Sequence, residues 1–188
     1  MIFEPLTKKL WNAINKEIKA CIKAKKERPT VAAVLYHTRS RQYLIITSRK
    51  GGLSNPGLVK GGVERGESAF RALVREIGQE LHISVSPRNV KGYGGSYSVP
   101  LVHPKNGLSI KRYFVFLVAY SGPLKLTING ELSGYFWMPL KEVEGALSVL
   151  NEPRPEPRPE KYNVLMKIFA SPSLKQKKKV RIKEPPSH

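Results

Sequence analysis

The chain has 188 residues, 40% of them hydrophobic, and a formal net charge of +19 at pH 7. Its one cysteine, Cys21, excludes an internal disulfide and a cysteine-based metal cluster, and no apolar run is long enough to span a membrane. Without a secretory apolar core at the N-terminus, a soluble cytoplasmic protein with one proper core is expected, and the charge asks for a polyanionic partner such as RNA, a polyphosphate or an anionic membrane surface.

Residues 7–28 read as a basic amphipathic helix. Leu6, Leu10, Ile14, Ile18 and Cys21 or Ile22 mark one face with Trp11 beside them, and eight Lys/Arg residues from Lys8 to Arg28 stand against two glutamates. Such a helix docks on the domain by its apolar stripe, serves as an RNA- or partner-binding arm, or lies on a membrane surface. Pro29 closes it. Residues 30–38 and 42–48 are β-rich runs joined by the polar turn 39–41, a hairpin in which His37 reads as structural. Arg49, Lys50 and residues 51–57 form a basic, flexible loop.

A glycine-rich turn at Gly61 and Gly62, where φ > 0 and close backbone approach are both open to the chain, then leads into a helix. Phe70, Leu73, Val74, Ile77 and Leu81 recur at helical spacing as one apolar stripe. Glu76 and Glu80, four residues apart, share a face beside it. Neighbouring carboxylates repel, and a hard divalent cation relieves that repulsion because carboxylate oxygens are its natural ligands. Gly78 in mid-helix costs about 1 kcal/mol against alanine, which implies close packing there. His82 stands where the helix should stop and reads as a C-cap. Lys60, just before the turn, offers a point charge to a phosphate.

Residues 89–100 carry Tyr93 and Tyr97 amid glycines, placed either to stack a base or to pack on a sheet. Residues 102–108, with His103, read as a hairpin loop, and 109–120 as a strand buried on both faces. Lys111 and Arg112 at its start are candidates to reach substrate phosphates. Glu131 opens a segment running through Trp137, read as core, to Pro139, where a second helix begins. Prolines at 151–160 favour an extended polyproline spacer. Residues 161–170 read as a final helix packing back, and 171–188 as a basic, disordered tail, an alternative site for RNA or assembly.

Gly61, Glu67, Arg75, Glu76, Ile77, Glu80 and Ile83 together resemble the Nudix box, G-x5-E-x7-R-E-U-x-E-E-x-G-U with U a bulky aliphatic. Gln79 replaces the first of its paired glutamates, and His82 replaces its glycine. The approach through Lys60 is similar to the branch holding dinucleoside polyphosphate hydrolases, diphosphoinositol polyphosphate phosphohydrolases and RNA decapping enzymes, with Val59 in place of proline. The resemblance implies a Nudix-type α/β/α sandwich with a mixed β-sheet over residues 30–150, preceded by the basic helix of residues 1–29 and followed by the spacer, helix and tail. It implies Mg²⁺ (or Mn²⁺) held by the Gly61 carbonyl, Glu76, Glu80 and, from the later segment, Glu131. Glu76 and Glu80 would help deprotonate the attacking water, while Glu67 and Arg75 pair to orient the loop. Arg49, Lys50, Lys60, Lys111, Arg112 and Tyr97 become substrate contacts. The implied reaction is Mg²⁺-assisted hydrolysis of a pyrophosphate bond in a nucleotide polyphosphate or at an RNA 5′ end, with a diphosphoinositol polyphosphate as a further option. The competing class, prompted by Gln79, is a catalytically weak or inactive RNA-binding or scaffolding module. The two differ in whether Glu76 is needed for turnover or RNA binding survives without it.

Overall fold

The computed structural model describes residues 6–24, 27–48, 56–103 and 107–143. The basic loop with Arg49 and Lys50, most of the second helix, the spacer, the final helix and the tail lie outside the described residues. In chain order the elements are α1 (Lys8–Ala24), β1 (Glu27–His37), β2 (Gln42–Ser48), β3 (Pro56–Gly57), β4 (Val59–Gly62), α2 (Ala69–Leu81), a 3-10 turn (Pro87–Asn89), β5 (Val90–His103), β6 (Gly107–Tyr120) and β7 (Leu132–Met138). A further helix opens after Pro139 and is described over residues 140–143.

The seven strands form one mixed sheet with the central order β3-β2-β1-β6-β5. β1 lies parallel to β6 along its full length, from Glu27↔Ile110 to His37↔Tyr120. Its other edge is shared: Thr30–Ala33 pairs with β4, and Tyr36 and His37 pair with β2. β7 adds to β2. Alternation along β1 divides the core in two. Val31, Ala33 and Leu35 join Phe114, Phe116 and Val118 beneath α1 and α2, while Ala32, Val34 and Tyr36 join Val115, Leu117 and Val143 on the opposite face. Helices therefore cover both faces of the sheet, an α/β/α sandwich. β6 is buried on both faces as its apolar run requires, with Phe114 through Val118 at 0–1% exposure.

Several boundaries differ from the sequence reading. α1 ends at Ala24 and β1 starts at Glu27, because parallel pairing with β6 recruits residues 27–29 into the sheet. Pro29 is tolerated there in the opening turns of the ladder, and its carbonyl accepts the Val63 N–H at 3.0 Å. The expected hairpin loop at 102–108 is mostly strand: Val102 pairs with Leu108 and His103 with Gly107. The glycines of β5 coincide with register shifts at Val90/Gly92 and Tyr93/Gly95, and Gly95 has φ +115°, a bulge that L side chains resist.

α1 buries Ile14, Ile18 and Cys21 in the first core, with Leu6, Leu10, Trp11 and Ile22 packed at its margin. Trp11 stacks on Phe116 of the sheet at 5.3 Å and meets Phe70 of α2 edge-on at 5.9 Å. The buried line of α2 is Ala69, Ala72, Leu73, Ile77 and Leu81, so its stripe is rotated toward the small alanines, and Phe70 and Val74 are half-buried. Close approach to the sheet and α1 explains the shift. Ser68 caps α2, accepting from Arg71 N–H at 3.3 Å. His82 caps its other end in the left-handed conformation (φ 54°, ψ 33°), donating its N–H to Gly78 O.

Gly78 is not explained by close packing. A Cβ there would meet only the Ile83 carbonyl, at 3.9 Å. Gly78→Ala should therefore stabilise the fold by about 0.5–1 kcal/mol, read as a higher midpoint in urea unfolding; a lower midpoint would reveal a packing constraint at this position.

Candidate functional site

The turn from β4 into α2 is held by one side chain. Arg75 donates through Nε and Nη2 to the two oxygens of Glu67, at 2.9 and 3.0 Å. Nη2 also reaches the Gly62 carbonyl at 2.7 Å, and Nη1 reaches Glu76 Oε1 at 2.5 Å and Gln79 Oε1 at 3.3 Å. Glu67 in turn accepts the Glu64 N–H at 3.0 Å. The planar guanidinium thus ties loop, strand end and helix together with its full set of donors. The pairing holds Glu67 below the usual carboxylate range and raises Arg75 further.

Gly61 is required by proximity. It pairs with Val31 in the sheet, and a Cβ built on it would fall inside the Glu76 carboxylate. Gly62 faces open space, and the left-handed glycine of the loop is Gly66. The expectation of φ > 0 at Gly61 and Gly62 is thus corrected: among the described glycines only Gly66 and Gly95 have positive φ.

Glu80 lies one turn beyond Glu76. Its carboxyl is pushed up to about 7, first by burial and then by the Glu76 charge, with Lys60 opposing and Glu131 adding a smaller push. Its Oε2 is buried and has no hydrogen-bond partner among the described residues. The loop that follows β6 is pinned to this end of α2: Asn129 N–H donates to the Glu80 carbonyl at 3.1 Å, and His82 Nδ1 lies 3.2 Å from the Thr127 carbonyl. That pinning puts the exposed Glu131 on the Glu80 side. Glu64 points away, 72% exposed, at 3.9 Å from Arg75.

Lys60 lies within the electrostatic reach of both Lys111 and Glu80. Desolvation lowers the Lys60 ammonium pKa, Lys111 lowers it further and Glu80 opposes, although the residue keeps an exposed surface. A cation next to an acidic pair suits a polyanionic ligand. Other expected contacts lie elsewhere. Arg112 is directed to the α1 side, where it pairs with Glu17 and, at 3.5 Å, with Glu27. Even residues of β6 face α1 and α2, so Arg112 and Lys111 necessarily point to opposite faces. Tyr97 is 7% exposed and stacks on Tyr113 at 5.0 Å within the second core, so it is a packing residue and not a base platform. His37 is buried; its Nε2 donates to the Gly122 carbonyl (2.9 Å), and Nδ1 accepts the Ser40 N–H (3.0 Å). Trp137 donates to the Leu124 carbonyl at 2.8 Å and packs on Tyr120. Cys21 donates to Glu27, and burial raises its thiol to about 11, so it is not nucleophilic.

Sequence reasoning missed Asn15, whose Oδ1 accepts the Ala69 N–H at 2.9 Å and seats the start of α2 from 54 residues away. No local pattern announces such a partner.

Among the described residues no three His, Cys, Asp or Glu side chains make a ready-formed metal cluster. What converges is a pair of carboxylates, Glu76 and Glu80, beside the backbone of Gly61, with one buried oxygen left unpartnered. That donor set fits a hard cation of the Mg²⁺ kind, which keeps several of its own waters and needs few protein oxygens.

The sequence model of one family, described as the NUDIX domain, matches residues 26–160. No curated protein matches the sequence. Among solved structures, a MutT protein from Methanosarcina mazei Go1 is similar at 15% identity and TM-score 0.56, covering 75% of this chain and 92% of that one. A NUDIX hydrolase from Nitrosomonas europaea is similar at 22% identity and TM-score 0.54, covering 77% and 90%. A Caenorhabditis elegans Ap4A hydrolase in a binary complex is similar at 17% identity and TM-score 0.52, covering 76% and 96%. At these identities the likeness is one of fold.

Two measurements check the geometry. The folded state holds the Glu80 proton more tightly than the unfolded chain does, so this carboxyl costs stability as pH rises from about 4.5 to about 7 and not below. Without added metal, Glu80→Gln should raise the melting temperature at pH 8 and not at pH 4; equal effects at both would show that the carboxyl is not strained. Gly61→Ala must displace Glu76, so Mg²⁺ or Mn²⁺ binding by calorimetry should weaken at least about tenfold, the smallest loss expected when support around a metal ligand is disturbed.

Proposed function

The chain belongs to the Nudix family, and from that membership we propose that it is a divalent-cation-dependent pyrophosphohydrolase acting on a nucleotide polyphosphate. The observation that carries the reading is Glu80: a largely buried, partly unpartnered carboxyl beside Glu76, within reach of the Lys60 charge. Families of this kind generally hydrolyse pyrophosphate bonds, and one structural neighbour is an Ap4A hydrolase. A chain of several phosphates would suit a site with a cation next to its acids.

In this reading Glu76, Glu80 and the Gly61 carbonyl hold Mg²⁺ or Mn²⁺, with Glu131 close enough to add charge. The bound cation would neutralise phosphate oxygens and make a coordinated water more acidic. Water attacks phosphorus, the P–O bond to the bridging oxygen breaks, and two phosphate-bearing products leave. Glu76 and Glu80, as ligands of the cation, would help deprotonate the attacking water. Lys60 and Lys111 orient the phosphate chain and offset its charge. Arg75 keeps Glu76 fixed by binding Glu67 and the Gly62 carbonyl at once. Gln79 offers an amide oxygen to Arg75 where the box has a carboxylate, so the site carries one negative charge fewer and holds its cation more weakly.

Gln79 also favours a second reading, a Nudix fold turned to RNA recognition with little turnover. A phosphate-release panel with Mg²⁺ or Mn²⁺ separates the two. It would include diadenosine tetraphosphate, nucleoside triphosphates, a diphosphoinositol polyphosphate, and triphosphorylated and capped short RNA. Turnover of one class, reduced at least about 100-fold in Glu76→Gln, is the expected outcome. Unchanged turnover in that variant would sink the assigned chemistry, and silence across the panel with tight RNA binding would favour the second reading.

A further inference from the structure

The lysines of α1 are arranged more strictly than its composition requires. At 3.6 residues per turn, Lys8, Lys19, Lys23, Lys16 and Lys9 fall within an arc of about 100°, with Asn12 in its middle. All six are exposed. The opposite side of the helix carries Ile14, Ile18 and Cys21 into the core. The helix has one acidic residue, Glu17, and it sits on the inward half, where Arg112 of β6 captures it and Ser96 of β5 stands 3.5 Å away. Arg112 also takes Glu27 at 3.5 Å. The arginine that the sequence offered as a substrate contact thus neutralises, on the inward side, the acids nearest the lysine face, which stay partly exposed.

We infer that this face of α1 is a docking surface for the phosphodiester backbone of an RNA strand. The ridge from Lys8 to Lys23 is about 22 Å long at 1.5 Å per residue, enough for several consecutive phosphates, and no carboxylate of the helix interrupts it. Charge complementarity selects a polyanion, and the apolar face selects against a membrane. A helix that lies on lipid must present its hydrophobic side, and here that side is sealed against the sheet with Ile14 and Ile18 at 1–2% exposure. The exposed residues within and beside the arc, Asn12, Ala20 and Ala13, give no aromatic platform for bases, so the surface contacts backbone and reads no sequence. The choice of RNA rests on the hydrolase reading above: an RNA chain can carry at its 5′ end the pyrophosphate bond that reaction cleaves. The ridge then makes the preferred substrate a polyphosphate attached to a polymer rather than a free nucleotide.

The test uses the full chain with Glu76→Gln to prevent turnover, and a labelled, triphosphorylated single-stranded RNA. Replacing Lys9, Lys16 and Lys23 by glutamine should lower the slope of log K against log salt by about two, and affinity near 0.1 M salt by roughly 100-fold, because each lost single-strand phosphate contact removes about 0.7 from the slope. Arginine at the same three positions should restore both. With Glu76 intact, the glutamine variant should hydrolyse the small nucleotide found in the panel at an unchanged rate while losing its advantage on triphosphorylated RNA. An unaltered slope and affinity would overturn the proposal. Lysine-dependent binding to vesicles of anionic phospholipid, with no RNA binding, would overturn it in favour of a membrane surface. Failure of the hydrolase reading shows separately, as turnover that survives Glu76→Gln, and leaves the salt slope to be judged alone.

Discussion

The site depends on a single guanidinium. Arg75 sits on the helix, yet its partners come from three places: Glu67 in the loop, the Gly62 carbonyl at the end of a strand, and Glu76 one residue along its own helix. Removing the side chain would leave a half-buried carboxylate and a carbonyl unsatisfied and would free the loop from the helix. Charge-assisted bonds in a fixed planar fork suit this task, because they set direction as well as strength. Gly61 completes the constraint. Its missing side chain is the space that Glu76 occupies, so the strand can approach the helix only at a glycine.

The second organising contact is between α1 and the sheet. Trp11 wedges between Phe116 and Phe70, and Asn15 accepts a backbone N–H at the first turn of α2. The N-terminal helix is therefore part of the support for the acidic helix and shares its core. The same packing sorts charge. The acid of α1 turns inward to Arg112, and the lysines turn outward. A half-exposed ion pair of this kind contributes little net stability, but it helps fix which side of a helix faces water.

The acidic side of the site is strained. Glu80 is desolvated next to another carboxylate and keeps an oxygen unpartnered, an arrangement that a fold tolerates at a place of function and rarely elsewhere. Arg112 Nε is the other buried side-chain atom without a hydrogen-bond partner among the described residues, whereas His37 uses both ring nitrogens and Trp137 donates its N–H to Leu124 O. The left-handed conformation of His82 closes the helix just after Glu80 and brings the Thr127–Glu131 loop against it.

The sequence by itself determined the elements whose signals are local. Hydrophobic period and turn chemistry gave the β1–β2 hairpin, the doubly buried β6, the amphipathic α1 and the C-cap at His82, because each depends on neighbours within a few residues. The spacing from Gly61 to Ile83 likewise carried the family, since the residues of its motif stand at fixed intervals along one loop and helix. Tertiary structure decided what depends on direction and distance. Lys111 and Arg112 are adjacent in sequence and equal in charge, and the two-residue period of a strand sends one to the face away from α1, within reach of Lys60, and the other to Glu17. Tyr97 had the type of a base-stacking residue and was claimed by Tyr113 in the core. Asn15 and Ala69, 54 positions apart, meet only because two helices cross on one sheet. Such pairings arise from the packing of faces that lie far apart along the chain, and no window of sequence contains both partners.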